Sequence, residues 1–170
     1  MDTPSDWVVR WAHLIPPGRV LDVASGGGRH ARFLHEKGFD VVAVDRAAVP
    51  VAGIDFVQAD LEDGSPWPFA GERFAAVVVT NYLHRPLCGT IQDSLIENGV
   101  LIYETFMAGN ERYGKPSNPH FLLRPGELLR AFAALTPIAF EQGMVERPKP
   151  AVVQRLCAVR GNPEKARIAP

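Results

Sequence analysis

A chain of 170 residues, 46% hydrophobic and 22% charged, has the length of a single domain, expected over residues 1–170, and an ordinary globular balance. Its formal net charge of −1 argues against a strongly cationic nucleic-acid binder, so no nucleic-acid partner is expected. No apolar run approaches the roughly 20 residues that cross a bilayer, so no membrane partner is expected either.

The first ten residues carry early acids and no apolar core, unlike a secretory signal. Apolar spacing predicts a helix over Trp7–Leu14, capped by Ser5 or Asp6 and stopped by Pro16-Pro17-Gly18. Arg19–Val23 reads as a buried strand, followed by a glycine-rich turn and a helix over Arg29–Lys37 that Gly38 ends. A second strand covers Asp40–Val44 and leads into Asp45; a third covers Ile54–Gln58. Only Arg46–Gly53 joins these two, shorter than the dozen or so residues a parallel crossover takes. Either the crossover is stripped down or the strand bounds lie elsewhere. Phe74–Thr80 predicts a fourth strand, Pro86–Glu97 a helix closed by Asn98-Gly99, and Val100–Thr105 a fifth strand. Phe106–Arg124 is a long loop rich in Gly, Asn and Pro, a length that in a compact domain marks a functional or mobile segment. Pro125 opens a helix to about Leu135, and Ile138–Val145 with Val152–Val159 form a hairpin. Strands alternating with helices predict an α/β, doubly wound, mostly parallel seven-stranded sheet with an antiparallel C-terminal hairpin.

Cys88 and Cys157 are far apart and belong to no metal-spaced pair, so neither a disulfide framework nor a metal site is expected, and a reducing cytoplasm is the default. The chemistry is concentrated in the turn Asp22-Val23-Ala24-Ser25-Gly26-Gly27-Gly28. Glycines there admit backbone conformations closed to other residues and leave no Cβ to obstruct a ligand. The helix start at Arg29 adds free N–H groups and a positive dipole end. Asp45, with Arg46 beside it, follows the second strand, where a carboxylate accepts from ribose hydroxyls. Asp60 and Leu61 follow the third, in position to read an adenine edge. Taken singly, Asp45 also reads as a helix cap and Asp60 as a loop carboxylate.

Gly26, Gly28 and Ala31 also fit G-x-G-x-x-A, the mark of a nicotinamide or flavin dinucleotide fold. Against this, Asp22 interrupts the apolar run before the glycines, and no second domain follows to carry a hydride acceptor. Val20–Gly28 instead resembles motif I of the class I S-adenosylmethionine-dependent methyltransferases. Val41–Asp45 resembles the family's ribose-binding motif, Val57–Glu62 its adenine-side motif, and Phe74–Asn81 its strand-four motif. Tyr103–Phe106, Lys115-Pro116 and Leu122–Leu129 are further similar to the small bacterial branch related to tellurite-resistance methyltransferases. The resemblance implies a Rossmann-like fold and S-adenosyl-L-methionine as cofactor, leaving S-adenosyl-L-homocysteine as product. It implies cofactor contacts from Asp22, Ala24, Ser25, Gly26, Gly28, Asp45, Arg46, Asp60, Leu61 and Asn81. The acceptor implied is a small molecule. A nucleic-acid methyltransferase, a non-catalytic S-adenosylmethionine-binding protein and a nicotinamide oxidoreductase are the alternatives.

The acceptor is expected at the ends of strands four and five, near Asn81, Tyr82, His84, Arg85, Glu104 and Phe106, with Tyr113 and His120 from the loop and Arg147 from the hairpin. Histidine is the side chain suited to exchanging protons near neutral pH, which makes His84 a candidate proton acceptor; its other reading is a cap or loop histidine. Glu104 ends an apolar strand, where a carboxylate is costly without a purpose; its other reading is an ion pair with Arg85 or Arg112. Tyr113 is a third catalytic candidate, or a solvated loop residue.

Overall fold

The computed structural model describes residues 3–168; residues 1, 2, 169 and 170 of the expected domain lie outside them. The elements are α1 (Asp6–Trp11), β1 (Arg19–Val23), α2 (Arg29–Glu36), β2 (Asp40–Asp45), β3 (Asp55–Gln58), β4 (Phe74–Thr80), α3 (Cys88–Asp93), β5 (Leu95–Phe106), α4 (Glu127–Ala131), β6 (Thr136–Val145) and β7 (Ala151–Val159). They build one seven-stranded sheet of order β3-β2-β1-β4-β5-β7-β6. The five strands β1 to β5 run parallel, and β7 lies antiparallel between β5 and β6. The chain steps outward from β1 to β3, then returns to place β4 on the other side of β1. That reversal opens a crevice beyond the C-terminal ends of β1 and β4, where open α/β sheets hold their ligands.

Alternation along the strands divides the core into two layers. Leu21, Val77, Val79, Leu101 and Tyr103 face one side, packed by Ile91, Leu128 and Phe132. Val20, Ala76, Val78, Val100 and Ile102 face the other, covered by Ala31 and Leu34 of α2 and by Trp7 and Trp11 of α1. Both tryptophans are buried edge to face, with ring centroids 5.8 Å apart, and Trp7 Nε1 donates to the Leu156 carbonyl.

The crossovers are lean. No helix forms between β2 and β3 or between β3 and β4, so the short Arg46–Gly53 link is real. Val51 of that link lies against Gly28, where an added Cβ would come within 2.4 Å of Val51 Cγ2. Two expected helices are shorter than their sequence suggests. The one expected to reach Glu97 stops at Asp93, because residues 95–99 are claimed by pairing: Asn98 N–H donates to the Arg160 carbonyl, and Arg160 N–H to that of Gly99. Asn98, at φ 64°, is therefore an irregularity within a long β5 and not a helix terminus. The helix expected from Pro125 begins at Glu127, after a left-handed Gly126.

Candidate functional site

Each residue following a strand stays hydrogen-bonded to the neighbouring strand, which fixes the site on the sheet. Ser25 N–H donates to the Val44 carbonyl, Ala59 N–H to that of Asp45, and Asn81 N–H to that of Glu104, at 3.1, 3.0 and 2.9 Å. Ala24 and Asn81 leave β1 and β4 with φ of 53° and 54°. Left-handed backbone is uncommon for residues with a side chain and is held here by the paired strands behind it.

These ends surround a cavity of about 600 Å³, within the roughly 300–1,000 Å³ of small-molecule sites. Ala24 comes from β1; Asp45, Arg46 and Ala47 from β2; Ala59, Asp60, Leu61 and Glu62 from β3. Asn81, Tyr82 and Leu83 follow β4, Thr105 and Phe106 end β5, and the loop adds Pro116 and Phe121.

The glycine turn is built against Asp45. Asp45 Oδ2 accepts from Gly26 N–H at 2.8 Å, and Oδ1 from Ala47 N–H at 2.9 Å. Gly26 and Gly27 present bare backbone; a Cβ at either would meet nothing within 4 Å. Gly28 sits at φ 75° as the N-cap of α2, which has no side-chain cap of its own residues. The cap is supplied from β1: Asp22 Oδ2 accepts from Ala31 N–H at 3.0 Å, satisfying a donor that the helix start leaves free. Burial pushes the Asp22 carboxyl up to about 7, against the Ala31 hydrogen bond and the nearby Arg29 charge. Asp22 Oδ1 and Ser25 Oγ are buried without partners.

Of the ten expected cofactor contacts, Ala24, Asp45, Arg46, Asp60, Leu61 and Asn81 line the cavity together, whereas Asp22, Ser25, Gly26 and Gly28 shape the turn behind it. None of His84, Glu104 and Tyr113 lines it. His84 Nδ1 lies 3.4 Å from Glu62 Oε1, whose residue does. Glu104 is an ion pair, with Arg155 and with neither expected arginine: Arg155 Nε donates to its Oε2 at 2.5 Å, and Ser5 Oγ donates to Oε1 at 3.0 Å. Tyr113 is exposed on the loop, with its hydroxyl 3.5 Å from Met144 Sδ. Arg85 staples the loop instead of facing a ligand, forked onto Glu127 and donating to the His120 and Leu122 carbonyls.

Sequence reasoning missed His30. Its Nε2 accepts from Ser5 N–H at 3.0 Å, so Nδ1 carries the proton toward Thr80 Oγ1 at 3.1 Å. Burial, then the Arg29 charge, lowers its pKa to about 4 and keeps it neutral. The bridge ties the α1 cap to the start of α2 and the end of β4. Glu62, Leu83, Thr105, Pro116 and Phe121 were also missed as cavity residues; only Phe121, an aromatic in a polar loop, carried a local signal. Among the described residues no cluster of His, Cys, Asp and Glu is arranged to hold a metal ion, and no helix is long and apolar enough to cross a membrane.

Residues 2–63, which hold the glycine turn, Asp45 and Asp60, match the family model described as tellurite resistance protein TehB. No curated protein matches the chain by sequence. TehB from Haemophilus influenzae superposes with a TM-score of 0.76 at 18% identity over 92% of this chain, which spans 62% of that protein's length. The N-methyltransferase NodS from Bradyrhizobium japonicum gives 0.68 at 14% identity, covering 92% and 93% of the two chains. The 1,6-didemethyltoxoflavin-N1-methyltransferase from Burkholderia thailandensis, solved with S-adenosylhomocysteine, gives 0.62 at 24% identity over 92% and 76%. In its sheet order the chain has the Rossmann-like fold of these methyltransferases, and over residues 2–63, which carry the glycine turn, it resembles the TehB family.

Proposed function

We propose that this chain transfers a methyl group from S-adenosylmethionine to a small-molecule acceptor in the cavity at the strand ends. One observation carries the reading: Asp45 and Asp60, at the ends of successive strands, share a single cavity with the left-handed Ala24 and Asn81. The residues fit the cofactor. Bare backbone at Gly26 and Gly27 leaves room for an extended ligand, and a Cβ-free Gly28 lets Val51 close the turn from outside. Asp45 is already oriented by two backbone N–H groups, so its carboxylate is in place to accept from ribose hydroxyls. Asp60, held by Glu62 N–H at 2.9 Å, stands where an adenine amine would donate, with Leu61 beside it. Bound there, the cofactor would supply a sulfonium methyl carbon open to in-line attack by an acceptor lone pair, with S-adenosylhomocysteine leaving with the C–S bonding pair. Tyr82, Phe106 and Phe121 flank the acceptor and exclude water. His84, near Glu62, is the nearest candidate to take a proton from it. Glu104 acts through Ser5 and Arg155, holding α1 against the sheet.

The test is calorimetric titration with S-adenosylhomocysteine. Asp45→Ala should weaken binding by about 1–3 kcal/mol, roughly five- to 150-fold. Equal affinity of variant and wild type, or tight binding of NAD in its place, would refute the reading.

A further inference from the structure

We infer that the acceptor side of the cavity takes a planar, uncharged ring that carries the nucleophile, and not an oxyanion. The inference rests on the methyltransferase reading above and narrows it. The cavity divides along the sheet. Its β1–β3 side holds Asp45, Arg46 and Asp60; its β4–β5 side holds Leu83, Phe106 and, from the loop, Pro116 and Phe121. The second set offers ring faces and aliphatic surface, against which a flat ring stacks.

Charge argues the same way. Arg46 is the one cationic side chain lining the cavity among the described residues, and it follows Asp45 on the cofactor side. Three carboxylates line the same space: Asp45, Asp60 and Glu62. Arg85 is held by Glu127 and two loop carbonyls, and Arg155 by Glu104 and Glu141, and neither lines the cavity. An oxyanion would give up its hydration to face three lining carboxylates, with Arg46 on the cofactor side the one lining side chain to offset them.

The polar contact that remains suits a neutral ring. Tyr82 OH is buried, with the Glu62 carboxylate as its polar neighbour. Tyr82 lines the cavity beside Leu83, with Thr105 across from it on β5. Burial and the neighbouring Glu62 hold the phenol protonated, so it can donate to a ring nitrogen or oxygen. In the reaction, the ring's oxygen or nitrogen forms the new bond to the methyl carbon, the C–S bond breaks with its pair going to sulfur, and the ring's proton passes to solvent.

The experiment supplies wild-type protein and S-adenosylmethionine with either planar phenols and N-heterocycles, 8-hydroxyquinoline among them, or sodium tellurite and sodium selenite. S-adenosylhomocysteine formation is read, after its binding has been measured separately by calorimetry. At least tenfold faster turnover with the ring set is expected. Phe121→Ala, a change at an exposed position, should raise the acceptor KM at least tenfold while S-adenosylhomocysteine affinity stays within twofold. Equal or faster turnover of the oxyanions, turnover of neither set by a protein that binds S-adenosylhomocysteine, or an unchanged KM in Phe121→Ala would overturn this inference alone. A protein that does not bind S-adenosylhomocysteine would overturn the methyltransferase reading with it.

Discussion

Replacing Gly28 by alanine tests whether the glycine turn is shaped by the stripped β2–β3 link. Two separate costs follow from the geometry. Gly28 sits at φ +75°, where an L side chain crowds its own carbonyl, worth about 1–2 kcal/mol. The new Cβ would also lie 2.4 Å from Val51 Cγ2. Val51 is β-branched and stiff, so either its rotamer or the link must move; such overpacking costs roughly 1–3 kcal/mol. Together Gly28→Ala should destabilise the fold by about 2–5 kcal/mol, read from urea midpoints with the slope m unchanged. A double-mutant cycle separates the two costs. Val51→Ala removes the obstructing methyl, so Gly28→Ala placed in that background should cost only about 1–2 kcal/mol, a coupling of about 1–3 kcal/mol. A Gly28→Ala protein within about 0.5 kcal/mol of wild type, or a cycle without coupling, would refute the claim that Val51 and Gly28 define the turn jointly.

Two titrating groups predict a pH profile with opposing slopes. From about pH 4 to 7 the unfolded chain loses the Asp22 proton while the folded chain keeps it. Stability therefore falls as pH rises through that window, by on the order of 4 kcal/mol, and Asp22→Asn should flatten this slope while keeping an oxygen for Ala31 N–H. His30 acts in the other direction. Between pH 6.5 and about 4 the unfolded chain gains a proton that the buried ring refuses, so stability falls as pH drops, and His30→Gln should remove that loss. Urea midpoints across pH 4–8 check both; an Asp22→Asn protein that keeps the wild-type pH dependence between about pH 4 and 7 would contradict the assignment. Arg155→Ala strips the cation from Glu104, whose side chain is only 12% exposed, and should cost roughly 2–3 kcal/mol, below the 3–5 of a fully enclosed pair. Adding Glu104→Gln should recover part of it in thermal melts, and no recovery would mean the loss is one of packing.

What could be read from the chain was what local physics decides. The apolar runs of β1, β2 and β4 are short and continuous, so their existence and order follow from composition. That Asp45 and Asp60 share one cavity was legible because they lie at the ends of successive strands, and parallel strands bring their ends to one edge. The failures share a cause, the long-range partner. Asn98-Gly99 has the local form of a helix terminus, yet pairing with Arg160, some sixty residues on, converts it into strand. Glu104 ends an apolar strand like a ligand residue, yet Arg155 on β7 lies opposite it in register and claims it. His30 offered no pattern at all, since its partners Ser5 and Thr80 meet it only through the fold.

The placement of β7 between β5 and β6 sets a timetable for synthesis. The ribosome releases the half that carries the glycine turn first, then β6, a strand that flanks no earlier strand of the sheet. Until β7 emerges, β6 has nothing to pair with, β5 presents an open ladder, and Glu104 waits without its counter-ion. The nascent protein thus carries a nearly finished binding turn beside an exposed, adhesive sheet edge, and the last strand made closes both gaps at once.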